Sequence, residues 1–259
     1  MPTGAPADWL RPDWDAPGVG ALMTTRQGGF SSGPYASMNL RDGLGDDGAA
    51  VARNRARFDA VLGARPVMLS QVHGKRVVRL READAHAGAP SHEADAGITT
   101  ELGIACCVQV ADCLPVLIAA PAARGVGAAH AGWRGLSGGV VEATLAALCE
   151  ASACAPADLQ VWLGPCIGPR RFEVGADVLT AFGADPAASG GHPRFRPHAP
   201  GKWLADLAGL ARDRLRAAGV TAVGGGTWCT VEDGSRFFSF RRDRIAGRMV
   251  AAVWLQRPG

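Results

Sequence analysis

The chain has 259 residues, 47% hydrophobic and 20% charged, so it can bury a sizeable core and leaves little room for long disorder. Its formal net charge of +3 is small for this length and gives no electrostatic reason to expect a nucleic-acid partner. Seven cysteines, an odd count with no CxxC pair, and a Met1–Leu10 segment without an apolar stretch, read as a reduced cytoplasmic protein.

In chain order, the first strand is expected at Val19–Thr24 and a helix at Asp47–Leu62. Strands follow at Val67–Gln71 and Val77–Leu80, then a loop over 84–92. Gly103–Ala120 is the longest apolar stretch. Asp112 in its middle and Pro115 exclude a membrane span and favour two buried strands, Ile104–Val110 and Val116–Ala119, around a turn. Next come a strand at Val126–Ala129, a helix at Gly138–Glu150 carrying Cys149 as a plain core thiol with Cys154 just beyond, and a strand at Leu159–Leu163. Residues 184–201 are rich in Ala, Pro, Gly and His and read as a second loop. Leu204, Leu207, Ala208, Ala211 and Leu215 mark one face of a helix over Trp203–Ala218, with Gly219 as its stop. Strands at Phe237–Phe240 and Met249–Leu255 close the chain. No repeat or linker divides it. The mixed order of strands and helices predicts one α+β domain over 1–259 with mixed sheets.

Three segments carry side chains suited to chemistry where a strand gives way to a loop: His73 in 70–74, Cys113 in 111–115 and His130 in 129–135. Two imidazoles and a thiolate suit Zn²⁺, and three protein ligands with one open position are the pattern of a catalytic site. Copper also favours this ligand set. Residue type and spacing alone leave open the plainer alternative of a satisfied His73, a buried Cys113 and a capping His130. Around the trio, Asp112 could orient a ligand or act as general base, and Gln71 would share a strand face with His73. Arg134, at a helix start, and Arg26, in a Gly-rich turn, are candidates for holding an anion. Asn39, a polar residue in an apolar run, could hydrogen-bond in the pocket or cap a turn, and Cys166 is either a second thiol at the site mouth or a simple buried thiol. Gly125–His130 echoes half of a dinucleotide fingerprint but lacks the third glycine. The Arg241, Arg242, Arg244 and Arg248 group could hold an anion but reads more readily as a solvated strand edge.

The segments SQVHG (70–74), ADCLPVLI (111–118), AHAGWRGL (129–136), GPCIGP (164–169) and FFSFRRD (237–243) resemble the bacterial laccase-domain family, also described as multicopper polyphenol oxidase-like or purine nucleoside phosphorylase. TTRQGGFSSGPYASMNL (24–40) and CTVEDGSRFFSFRRDRIAGR (229–248) extend the likeness from about Gly20 to Leu255. The resemblance implies a four-layer α/β/β/α sandwich and a zinc site at His73, Cys113 and His130. It implies phosphorolysis of adenosine, inosine, guanosine and methylthioadenosine, with adenosine deamination beside it. The chain departs from the family pattern at 41–47 and at Arg244-Ile245-Ala246, which bears on substrate preference. Six histidines, four of them in loop-like segments, argue against a multinuclear copper cluster. The deaminase signature His-x-Glu with Pro-Cys-x-x-Cys is absent. Purine nucleosides and phosphate are the expected partners, with no nucleic acid or membrane, acting on a monomer or homodimer. Three other readings use the same residues: a cysteine hydrolase or deamidase with Cys113 as nucleophile and His130 or His73 as base, a polyphenol oxidase with one copper, and a non-catalytic metal-binding protein.

Overall fold

A computed structural model describes residues 6–86, 88–188 and 192–257. Residue 87 in the first predicted loop, 189–191 in the second, and 1–5 of the N-terminal segment lie outside the described residues. In chain order the regular elements are β1 (Val19–Met23), α1 (Gly48–Leu62), β2 (Arg65–Val67), β3 (Val77–Arg79), β4 (Ala96–Thr99), β5 (Ile104–Val110), β6 (Leu114–Ala119), β7 (Val126–Ala131), α2 (Trp133–Gly138), α3 (Val140–Ser152), β8 (Gln160–Leu163), β9 (Glu173–Val174), α4 (Ala176–Ala181), β10 (Phe195–Ala199), β11 (Lys202–Ala205), α5 (Leu207–Ala217), β12 (Ala222–Gly225), α6 (Phe240–Asp243) and β13 (Met249–Leu255).

Two mixed sheets form the centre. One runs β1-β13-β5-β2 and the other β12-β8-β6-β7-β4-β3, with a small β10-β11-β9 sheet at the side. The central strands β5, β6, β7 and β13 are buried along their whole length because both their faces are covered. In β13 the alternation is visible residue by residue. Met249, Ala251, Val253 and Leu255 face the second sheet together with Cys106 and Val108 of β5, packing on Leu117 of β6. Val250, Ala252 and Trp254 face the other way, onto Phe58, Val61 and Leu62 of α1. On the far side of the second sheet, Val116, Ile118 and Ala129 pack with Leu145 and Leu148 of α3 and Leu210, Ala211 and Leu215 of α5. The layers are therefore α1, sheet, sheet and α3 with α5, the expected α/β/β/α sandwich. Among the described residues no helix is long and apolar enough to cross a membrane.

Local chemistry sets the boundaries. Asp47 caps α1 by accepting from Ala49 N, and left-handed Gly63 ends it. Buried Asn54 of α1 bonds Phe30 N, Ser31 Oγ and the carbonyls of Ser37 and Asn39, fixing the segment between β1 and α1. Three expectations need correction. The helix predicted from Trp203 starts at Leu207, because Asp206 caps it through Gly209 N. Trp203 and Leu204 belong instead to β11, which pairs with β10 inside the predicted loop 184–201. The predicted strand at Phe237–Phe240 does not form. Phe237 and Phe238 are fully buried as anchors of a loop, and Ser239 caps the short α6 through Arg242 N. Their rings, not ladder hydrogen bonds, account for that apolar run.

Candidate metal centre and the cavity beside it

Strand register assembles the site at one end of the second sheet. β6 pairs with β7 so that Leu114 faces Ala131 and Pro115 faces His130. Cys113, the last residue of the β5–β6 turn, therefore lies beside His130 across the ladder. β4 pairs with β7 on the other side, Ala96 facing Ala129, so Asp95 falls next to His130, whose N–H donates to Asp95 O at 2.7 Å. The Asp95 carboxylate is fully buried and its Oδ1 lies 2.8 Å from His130 Nδ1. His130 Nε2 is thereby left for the site.

His73 comes from outside the sheet. A parallel bridge between Ser70 and Glu93 lays its loop along Asp95. The same carboxylate accepts the backbone N–H groups of Val72, His73 and Gly74 at 3.2, 2.9 and 2.7 Å. This nest holds His73 at φ +61°, an uncommon conformation for a side chain of this kind. Its Nε2 lies 3.8 Å from Cys113 Sγ, and its ring meets that of His130 edge-on at 4.8 Å between centroids. Gly132 permits the approach: a Cβ there would sit 3.0 Å from Cys113 Sγ and from His73 Cδ2.

One ligand-capable atom from each of His73, Cys113 and His130 lies within 4.8 Å of the others, the one such group of three among the described residues. A tetrahedral Zn²⁺ site with bonds near 2.0–2.3 Å separates neighbouring ligand atoms by about 3.3–3.6 Å, so small side-chain adjustments close the trio on a metal. The donor chemistry agrees. Burial would raise the Cys113 thiol, but the charge of His130 and hydrogen bonds from both imidazoles outweigh it and bring its pKa to about 6. Burial would lower His130, but the Cys113 thiolate and the Asp95 carboxylate raise it to about 9. Without metal, Cys113 and His130 thus form a thiolate–imidazolium pair. Burial pushes the Asp95 carboxyl upward, yet its bonds to His130 and to the loop amides hold it below the usual range.

A cavity of about 310 Å³ opens on the trio, lined also by Arg41, Gln71, Gln109, Phe240 and Arg248. A second, of about 150 Å³, adjoins it at Cys113 and Phe240 and is walled by Trp133, Ile167, Phe172 and Leu207. The predicted residues distribute unevenly around them. Gln71 lines the larger cavity, but it leaves a loop rather than sharing a strand face with His73. Its amide pairs with the backbone of Gln109, at 2.7 and 2.9 Å. Asp112 lines the smaller cavity at φ +98° with both oxygens engaged, by Thr230 Oγ1 at 2.5 Å and Arg241 N at 2.6 Å. Those bonds make it a stake for the Cys113 turn. Asn39 is fully buried and touches neither cavity. Its Oδ1 accepts the N–H groups of Arg41 and Arg248, so it holds two cavity residues in place.

Three expectations miss the site. Arg26 donates to the carbonyls of Ala36 and Gly234 and lies over Phe238, binding two segments together. Arg134 is exposed, its guanidinium folded over Trp133 at 4.3 Å. Cys166 is buried behind the turn rather than at the mouth, and burial pushes its thiol far up. The arginine group near 241–248 is not a solvated edge. Arg242 donates to the carbonyls of Thr230, Val231 and Phe237, and Arg248 enters the larger cavity. Asp95, Arg41, Gln109 and Phe240 were missed.

Fold and cluster together define a mixed α/β protein with a metal-capable His–Cys–His centre. The chain belongs to the family described as multi-copper polyphenol oxidoreductase laccase, whose sequence model matches residues 20–256. It is 49% identical over 253 residues to a purine nucleoside phosphorylase of Pseudomonas aeruginosa, covering 96% of this chain and 98% of that one. It is 45% identical over 250 residues to the purine nucleoside phosphorylase YfiH of Escherichia coli, covering 94% and 97%. Among solved structures, a protein of Neisseria meningitidis superposes with a TM-score of 0.87 at 43% identity, covering 96% of this chain and all of the other. YlmD from Geobacillus stearothermophilus superposes with a TM-score of 0.88 at 34% identity, covering 96% of each.

Proposed function

We propose that the protein is a zinc-dependent purine nucleoside phosphorylase, acting on adenosine, inosine, guanosine and methylthioadenosine, with adenosine deamination as a side activity. The observation that carries this reading is the trio of His73, Cys113 and His130 opening onto a cation-lined cavity. The names of the relatives support the reaction class. In this reading His73 Nε2, Cys113 Sγ and His130 Nε2 hold the metal, which when bound supplies Lewis acidity at the mouth of the cavity. Asp95 fixes the His130 tautomer by accepting from Nδ1. Gln71 and Asp112 keep the loop walls in place, and Phe240 offers an apolar surface to the nucleoside. All seven cysteines are free, in keeping with a reducing cytoplasm. Copper competes for the same ligands.

The test is phosphate-dependent release of hypoxanthine from inosine by the zinc-loaded protein and by Cys113→Ala. Release by the wild type and its loss in the variant are expected. No release, or equal release by both, ends the reading.

One observation favours a second reading. Cys113, His130 and Asp95 also have the make-up of a nucleophile, base and orienting carboxylate, as a cysteine hydrolase or deamidase requires. Metal analysis separates the two. Stoichiometric zinc bonded to Cys113 excludes a free nucleophile. Metal-free purified protein with a rapidly alkylated Cys113 selects the hydrolase.

A further inference from the structure

Phosphorolysis needs a seat for a dianion, and the arginines expected to provide it, Arg26 and Arg134, line neither cavity. Two others face the reacting space. Arg41 and Arg248 both line the 310 Å³ cavity that holds His73, Cys113 and His130. Among the described residues neither has a carboxylate partner, whereas Arg55, Arg65, Arg170, Arg194 and Arg214 each do. Arg248 uses Nη1 on the carbonyls of Ala246 and Gly247, which fixes the side chain and leaves its other donors for the cavity. Asn39 Oδ1 accepts both backbone N–H groups, Arg41 at 3.2 Å and Arg248 at 2.9 Å. Asn39 Nδ2 donates to Arg41 O and to Asp46 Oδ2. A buried amide thus ties two distant parts of the chain so that two cations share one space. Burial, and next the charge of Arg41, hold Arg248 below its ordinary pKa, against the opposing charges of Cys113 and Asp112. Like charges brought together on a half-buried wall repel unless an anion lies between them. The smaller cavity holds one cation rather than two. That cation, Arg241, donates to Glu173 O and stands over Phe172.

Resting on the phosphorylase reading, we propose that Arg41 and Arg248 form the phosphate subsite, gripping the dianion by charge-assisted hydrogen bonds on the cavity wall beside the metal trio. A phosphate oxygen forms the bond to ribose C1′ as the C1′–N bond breaks. The electron pair of that bond goes to the base nitrogen, and the proton of hydrogen phosphate ends on the same nitrogen. Ribose 1-phosphate leaves as the dianion. The neutral nucleoside has no use for two cations, so their effect falls on phosphate alone.

The test compares zinc-loaded wild type with Arg41→Gln, Arg248→Gln and Arg248→Lys in two measurements: inosine phosphorolysis at varied phosphate, and calorimetric titration of inorganic phosphate without nucleoside. Each Gln variant should raise the phosphate KM and Kd about ten-fold or more, as loss of a charged hydrogen-bond donor implies. The inosine KM should stay within about two-fold, and Arg248→Lys should recover part of the loss. Unchanged phosphate KM and Kd in both Gln variants, or a rise in inosine KM instead, overturns the subsite. Failure of the wild type to release base, with phosphate binding that the Gln variants lose, ends the phosphorylase reading and leaves the subsite standing. A wild type that binds no phosphate overturns the subsite whatever its turnover.

Discussion

Asp95 accepts four hydrogen bonds on two oxygens: three from the loop that carries His73 and one from His130. One carboxylate therefore sets the conformation of one imidazole loop and the tautomer of the other imidazole. Asp95→Asn replaces an acceptor with a donor that faces N–H groups. The expected result is about a 10–100-fold loss of zinc affinity in competition with a chelator, since orienting groups behind metal ligands have that effect. Cys113 gives a second prediction. Its pKa is lowered to about 6, so in metal-stripped protein the thiolate is already the main form at pH 7. Alkylation by iodoacetamide should be fast above about pH 6 and fall as pH drops through that value. An ordinary thiol would lose its reactivity already below about pH 8.5. A profile centred on the ordinary value would show that His130 is not charged beside it. The six histidines and seven cysteines made the trio visible as candidates. Asp95 was one acid among 24, and its part is defined by amides of a loop some twenty residues away, which no local pattern announces.

At the scale of elements, the helices were legible where periodicity and caps agree and misread where they conflict. Leu204 and Leu207 have helical spacing, but Asp206 between them caps a helix and so stops one. Asp206 also pairs with Arg194, whose guanidinium reaches Asp213 of the same helix. Asp206→Ala should cost about 1 kcal/mol in urea unfolding through the lost cap, the partly exposed pair adding little. The β5–β6 turn was legible because Asp112 and Pro115 interrupt an otherwise apolar run. Its role in aiming Cys113 was not, because the groups that stake Asp112, Thr230 and Arg241, come from more than a hundred residues away.

For the whole molecule, the packing of two sheets face to face between helices makes the core continuous with the site. Phe58 is fully buried between α1 and the first sheet, so Phe58→Ala should cost about 3–5 kcal/mol, read by denaturant unfolding. The trio joins the 70–74 loop, the β5–β6 turn and the end of β7. A ligand that binds only the folded state stabilises it by about 4 kcal/mol at a thousand times its Kd. Removal of metal by a chelator should therefore lower the melting temperature measurably, and Cys113→Ala should abolish that difference. Equal melting temperatures with and without chelator in the wild type would mean that no metal binds the trio.

Composition, the apolar central strands and the placing of His73, Cys113 and His130 at strand ends are properties of contiguous sequence, so the fold class and the trio could be read from the chain. Residue type alone left the trio undecided between ligands and ordinary core residues, and the family likeness inclined it towards a metal site. The surroundings of the trio were settled only by tertiary structure. Register across β4, β7 and β6 brought Asp95 beside His130, and Asn39 tied the backbones of Arg41 and Arg248 together at one cavity, while Arg26 went to the carbonyls of Ala36 and Gly234 and Arg134 to the ring of Trp133. The reason is physical: strand pairing and buried hydrogen bonds join residues far apart in the chain, and an arginine's partner depends on which carbonyls, rings and carboxylates the fold leaves within its reach.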